Sequence, residues 1–249
     1  MRLNTDLPWI APHEALPDAR AALRPAPWSG LVALGIDLSA DRLEEAYRKG
    51  IFPWFSEGQP VMWWSPEPRM VLPLAEFRLK RSLRKTLLRF LREPGCEIRL
   101  DHDFSAVMRQ CAQVPRPDQA GTWITAPMHA AYGQLHARGL AHSVETWVEG
   151  ELVGGLYCVT LGNAWFGESM FSRRTDASKL ALCALVALGL AHGVTWVDCQ
   201  QNTRHLASLG AREVSRPAFI TQIQQDVLAA PPTWRLNDAY WERLLETCA

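Results

Sequence analysis

Apolar and polar residues alternate along this chain with two periods, one helical and one extended. From about Ala40 to Lys49 the apolar positions suit a helix, and Ser39 stands where an N-cap belongs. Between Glu76 and Arg92, Leu79, Leu83, Leu87 and Leu91 recur every four residues, which predicts one amphipathic helix with a narrow apolar stripe. Two more helices are expected near Phe104 to Gln113 and from Pro127 to Ala137, flanking a Pro115 to Pro117 loop. His142 to Thr160 reads as two strands reversing at Glu149-Gly150, and a third strand follows with Glu168 just beyond its end. Ala177 to His192 is a mostly apolar helix that His192-Gly193 ends, and Val194 to Asp198 is the next strand. Strands and helices alternating in this way predict a mixed α/β (α+β) sheet with helices packed on it.

Prolines divide the chain. Pro8, Pro12, Pro17, Pro25 and Pro27 mark an irregular lead, and Pro53, Pro60, Pro66 and Pro68 interrupt an aromatic stretch holding Phe52, Trp54, Phe55, Trp63 and Trp64. A small N-terminal domain, 1–68, and a larger domain, 69–249, are expected. With 249 residues, 48% of them hydrophobic, the chain has enough apolar surface for a sizeable core. A formal net charge of zero argues against bulk electrostatic adhesion, so any nucleic acid must meet a local basic patch. The N-terminus lacks the apolar core of a secretion signal, and the Leu180 to Ala191 helix is too short to span a bilayer, so a cytoplasmic protein with no membrane partner is expected. Six cysteines show no CxxC pair, and His129, His136 and His142 have no Cys or acidic partner in register, so neither a disulfide framework nor a metal site is expected.

Candidate chemistry gathers in the second half. Asp198 and Gln200 end a short strand, where ligands of open α/β sheets collect, and being two apart they share a face if the strand persists. The plainer alternative is that Asp198 caps a turn and Gln200 bonds backbone. Glu168 is the other acidic candidate, its apolar neighbours Phe166, Met170 and Phe171 speaking against a merely exposed residue. Cys199 with nearby His205 suggests a thiol nucleophile, but alternation turns Cys199 to the face opposite Asp198 and Gln200. Arg78, Lys80, Arg81, Arg84, Lys85, Arg89 and Arg92 are either a solvated helix face or a set of phosphate contacts.

The segments IFPWF (Ile51 to Phe55), WWSPEPR (Trp63 to Arg69), GTWIT (Gly121 to Thr125), AHSVE (Ala141 to Glu145), GESMFS (Gly167 to Ser172), ASK (Ala177 to Lys179), DCQ (Asp198 to Gln200) and HLASLGA (His205 to Ala211) resemble, in order and spacing, those of the leucyl/phenylalanyl-tRNA-protein transferases. That family's larger domain is similar to the GNAT acyltransferases. The resemblance implies transfer of Leu, Phe or Met from aminoacyl-tRNA to the N-terminal Arg or Lys of acceptor proteins, marking them for degradation. The ester is already activated, so direct aminolysis calls for no cofactor, metal or covalent intermediate, and DNA is not a partner. By the same resemblance Gln200 contacts and helps deprotonate the attacking amine, Asp198 orients it, and Glu168 holds the donor ammonium. Trp54 and Trp123 stack on the terminal adenine, while Leu156, Leu185 and Val197 wall the donor pocket. The basic helix, from Arg78, Lys80, Arg81, Arg84, Lys85 and Arg89, contacts tRNA.

The chain also departs from the family. Cys158 stands where a Gly is common, Leu185 and Gly189 stand where large aromatic pocket walls are expected, and the early motif ALGIDLS lacks a second Gly. Two other functions compete: a CoA-dependent N-acyltransferase, whose Gly-rich pyrophosphate turn is missing before the RRTDASK helix start, and a non-catalytic RNA-binding module, which leaves Glu168, Asp198 and Gln200 unexplained.

Overall fold

The computed structural model describes residues 8–24, 27–114 and 122–248; Pro25, the Pro115 to Pro117 loop and Gly121 lie outside the described residues. A small sheet comes first in the chain. Its strands are β1 (Trp9–Ile10), β2 (Leu31–Gly35), β3 (Phe52–Pro53) and β4 (Val61–Trp64), in the spatial order β1-β2-β4-β3. Helix α1 (Ala40–Arg48) connects β2 to β3, and the Ser39 hydroxyl caps it by accepting from the Arg42 N–H at 3.3 Å. Its buried face carries Leu43, Ala46 and Tyr47. Arg42, also buried, donates to Glu45 and to the carbonyls of Ala11 and Pro12, which pins the irregular lead to the helix.

The larger sheet uses β5 (Arg69–Pro73), β6 (Cys96–Leu100), β7 (Ala141–Val148), β8 (Glu151–Leu161), β9 (Ala164–Ser172), β10 (Trp196–Gln200) and β11 (Arg212–Val214). The order is β11-β5-β10-β9-β8-β7-β6. All neighbours are antiparallel except β9 and β10. A parallel pair needs a crossover, and the apolar helix supplies it as α5 (Ala177–Ala191). Every residue of α5 from Leu180 to Leu190 is buried, because it packs on β7, β8 and β9 on one side and on α8 (Asp238–Thr247) on the other. The opposite face of the sheet is covered by α3 (Phe104–Ala112) and α4 (Ala126–Ala137), and α1 rests on α4. The small sheet, α1, α3 and α4 thus share one apolar core, while α5 and α8 close a second across the sheet.

Two element boundaries differ from the sequence reading. The basic helix α2 runs only over Arg81–Phe90. The residues before it form a 3-10 turn at Leu74–Glu76 and then an extended stretch, because Phe77 and Leu79, two apart, are both buried and the Arg78 N–H donates to the Leu209 carbonyl. The helical stripe is therefore Leu83, Leu87 and Phe90, and Arg78 and Lys80 are not on the helix. Glu168 lies inside β9 instead of beyond a strand end, at the irregularity where the register against β8 shifts between Gly167 and Ser169.

Candidate active site

Parallel strands β9 and β10 pair only at Val197 with Trp165 and Asp198 with Phe166. Beyond that point Gly167 to Met170 are only half-buried although they lie in mid-sheet, since their neighbour on one side has turned away. A cavity of about 430 Å³ fills the gap, within the ordinary range for small-molecule sites. Leu156, Leu185 and Val197 line it as expected, joined by Leu72, Met170 and Leu182. Trp54 and Trp123 are also on its wall. Trp54 is held by its backbone bond to the Met62 carbonyl, by the Trp64 indole N–H donating to its own carbonyl at 2.8 Å, and by an edge contact with the Trp64 ring. Gly189 is not a wall residue. It allows α5 to approach the sheet, for a Cβ there would stand 2.4 Å from Leu74 Cδ1 and 3.1 Å from the Trp165 ring. Cys158 is fully buried in the second core and is likewise not a wall residue.

The expectation that Asp198 and Gln200 leave one face of the strand is corrected. The register against β5 shifts between them, and Gln200 sits at φ 58°, a left-handed conformation that bends the strand end. Val197, Cys199 and Gln200 face the cavity, whereas Asp198 points away from it and is wholly buried. There Asp198 meets Arg69 in a two-pronged ion pair, Nε to Oδ1 at 2.8 Å and Nη2 to Oδ2 at 2.6 Å. The guanidinium is sandwiched between the rings of Phe52, 4.9 Å from its centroid, and Phe219, 4.4 Å away, and also donates to the Gly50 carbonyl. Asp198 in turn accepts from the Gln200 backbone N–H at 3.0 Å and from its side-chain Nε2 at 3.4 Å. The carboxylate therefore fixes both the strained backbone and the amide of Gln200, and with the amide nitrogen turned to Asp198 the amide oxygen is left for a ligand.

Cys199 faces the cavity, on the same side as Gln200 and against the sequence expectation. Burial, with the Asp198 carboxylate beside it, pushes its thiol far above the ordinary range. It holds its proton at neutral pH, which removes a thiolate nucleophile from consideration. His205, on α6 (Arg204–Ser208), is at the cavity wall, its pKa lowered by burial and by Lys179 and Lys80.

Glu168 reaches the cavity from β9. Burial raises its carboxyl to about 7; Tyr47 and Tyr132 pull it down by hydrogen bonding, Asp198 pushes it up and Arg69 pulls it down. Its Oε2 accepts from the Tyr132 hydroxyl at 3.1 Å. Its Oε1 is buried and has no hydrogen-bond partner among the described residues. A buried acceptor without a donor is costly, and a ligand ammonium is the natural complement.

The basic residues divide into two groups. Arg81, Arg84, Lys85, Arg89 and Arg92 border a shallow groove on α2. Arg78 and Lys80 are exposed on the extended stretch before it, and Lys80 is near enough to bear on His205. Cations thus run from the α2 groove to the cavity wall. His129 contacts Ser105, whereas His136 and His142 both meet Asp101, at 3.8 and 2.7 Å, an acidic partner the sequence did not show; among the described residues no group of three or more such side chains is arranged to hold a metal ion.

Sequence reasoning missed Arg69, Tyr47 and Tyr132. Arg69 carried a signal, being a lone charge at the head of an otherwise apolar strand, RMVLP. The tyrosines carried none beyond their apolar helix faces.

Comparison with known sequences adds a second line. The profile of the leucyl/phenylalanyl-tRNA protein transferase family matches residues 71–224, and that of its N-terminal domain matches residues 36–67. A leucyl/phenylalanyl-tRNA--protein transferase of Methylibium petroleiphilum is 57% identical over 95% of this chain and 90% of its own length. One from Albidiferax ferrireducens is 54% identical over 96% and 94%. Among solved structures, L-PGS from Bacillus licheniformis overlays at a TM-score of 0.43 with 12% identity, covering 78% of this chain and 72% of that one. A GCN5-related N-acetyltransferase from Kribbella flavida overlays at 0.36 with 10% identity, covering 69% and 60%.

Proposed function

Because the chain belongs to the leucyl/phenylalanyl-tRNA protein transferase family, enzymes that transfer an aminoacyl group from tRNA to protein, we propose a division of labour within the cavity that performs this reaction. The donor side chain, Leu, Phe or Met, occupies the apolar pocket between Leu156, Leu185 and Val197. Its ammonium meets Glu168 Oε1, and the terminal adenine stacks on Trp54 and Trp123, an interaction of about 1–3 kcal/mol per base. The ester carbonyl then lies towards the lip, where Gln200 orients the acceptor amine through its amide oxygen.

The observation that carries this reading is the pairing, in one apolar cavity, of an unpartnered carboxylate oxygen with an amide held at the rim. Attack needs the neutral amine, which with a pKa of about 7.7–8.0 is the minor form at pH 7. The amine nitrogen adds to the ester carbon, the bond to the ribose oxygen breaks, and the proton lost by the amine ends on that hydroxyl. Asp198 touches no reactant in this scheme. It is a positioning residue that keeps Gln200 in place, and Arg69 keeps Asp198 in place. Arg81, Arg84, Lys85 and Arg89, with Arg78 and Lys80 nearer the mouth, neutralise tRNA phosphates.

The finer assignments belong to the same reading: acceptors beginning with Arg or Lys, a cytoplasmic site of action, and a division at residues 1–68 and 69–249. The change of sheet between Trp64 and Arg69 supports the division. Among the described residues no helix is long and apolar enough to cross a membrane. A CoA-binding reading gains nothing from the start of α5, where Asp176, paired with Lys179 at 2.7 Å, places a carboxylate where a pyrophosphate would sit.

The test is transfer of labelled Leu, Phe and Met from charged tRNA to a peptide with N-terminal Arg, using the native enzyme and folded Asp198→Ala and Gln200→Ala variants. Transfer by the native enzyme that falls at least tenfold in both variants is expected. Variants as active as the native enzyme would remove Asp198 and Gln200 from the mechanism.

A further inference from the structure

The donor carboxylate does not stand alone. Tyr132, on α4, donates to Glu168 Oε2 at 3.1 Å, and the hydroxyl of Tyr47, on α1, makes a very short hydrogen bond to that of Tyr132. With the Tyr132 proton on Glu168, Tyr47 donates to Tyr132, and the Tyr47 hydroxyl is also close enough to Glu168 to lower its pKa directly. Both rings are fully buried. Tyr47 leans on Phe166 of β9, 4.9 Å between centroids, and Tyr132 meets Tyr157 of β8 edge-on at 5.7 Å. Phenol hydroxyls in such a setting keep their protons, because burial and the neighbouring Glu168 charge raise both well above the ordinary range. They are therefore permanent donors.

We propose that Tyr47 and Tyr132 form a hydroxyl relay that occupies one oxygen of Glu168, reserves the other for the donor ammonium, and makes donor binding depend on loss of the Glu168 proton. The proposal rests on the assignment of Glu168 to that ammonium. The cavity surrounds the carboxyl with apolar walls, and titratable neighbours face it from five other elements: Tyr47 on α1, Tyr132 on α4, Asp198 on β10 with its Arg69 on β5, and Tyr157 and Cys158 on β8. The ion pair of Asp198 and Arg69 brings opposite charges to it, so no unopposed cation stabilises a carboxylate there. When an ammonium enters, the carboxyl proton leaves to solvent and the pair forms. Tyr47 comes from the segment matching the family's N-terminal domain, so that segment helps to build the donor site besides flanking it.

Equilibrium binding of charged tRNA, without acceptor, tests this in the whole protein. The probes are Phe-tRNA and the same tRNA carrying the 2-hydroxy-3-phenylpropanoyl ester, which keeps the ring and ester but has no ammonium. For the native enzyme Phe-tRNA should bind about eightfold more weakly at pH 6 than at pH 7.4, through protonation of a group near 7, while the hydroxy ester changes little. Tyr132→Phe and Tyr47→Phe remove donors that favour the carboxylate. Each should move the acid limb to higher pH by about one unit and weaken Phe-tRNA about threefold at pH 7.4, leaving the hydroxy ester as in the native enzyme. If both Tyr variants, folded by thermal melting, bind Phe-tRNA with the native pH limb, or weaken both esters equally, the relay is overturned. Glu168→Gln separates the two levels: equal weakening of both esters would instead overturn the assignment of Glu168 to the ammonium.

Discussion

A single buried carboxyl sets a pH dependence of stability that can be worked out in sign. Glu168 is raised to about 7 from an ordinary 4.5, so the folded chain binds a proton there that the unfolded chain releases. Its contribution is fully present below about pH 4.5 and is lost as pH rises through 7, a change on the order of 3 kcal/mol. The unfolding free energy of Glu168→Gln, measured in urea, should lack this decline between pH 5 and pH 8, and an identical decline in the variant would refute the assignment. At the same scale, the sequence pointed to Asp198, Gln200 and Glu168 by type and position. It could not show which way each faced, because one left-handed residue at Gln200 reverses the alternation that a strand imposes. Nor could it show that Asp198 is neutralised, since its partner is 129 residues away.

Periodicity located the elements well and their ends less well. Ser39, Thr125 and Ser215 cap α1, α4 and α7 (Arg216–Asp226) through side-chain oxygens, a local signal that survives into the fold. The start of α2 went astray because Leu79 continues the four-residue spacing while belonging to an extended, two-residue pattern with Phe77. The consequence is functional, since it separates Arg78 and Lys80 from the helical cations. Replacing Arg81, Lys85 and Arg89 by Ala should weaken every charged tRNA alike and lower the slope of log affinity against log salt by somewhat under one unit for each phosphate left without its cation. Preference among Leu, Phe and Met should stay unchanged in the same titrations. A shift in preference, with no change in slope, would remove α2 from the tRNA surface.

The whole molecule converges on Arg69. Phe52 and Gly50 reach it from the small sheet side, Asp198 from the large sheet and Phe219 from α7. Arg69→Leu would leave Asp198 buried without its counterion, and a loss of about 3–5 kcal/mol in unfolding free energy is expected from denaturant titration. A loss below about 1 kcal/mol would mean that Asp198 takes up a proton or water in its place. The mixed α/β architecture followed from the alternation of strands and helices, but this convergence did not, since it joins positions from three distant stretches of chain. That same separation bears on how the protein is made. A chain still on the ribosome, with Arg69 emerged and Asp198 not yet synthesised, has neither its central ion pair nor Gln200. If Gln200 acts as proposed, growing chains surrounded by charged tRNA stay inert until the stretch from Arg69 to Gln200 has emerged and folded.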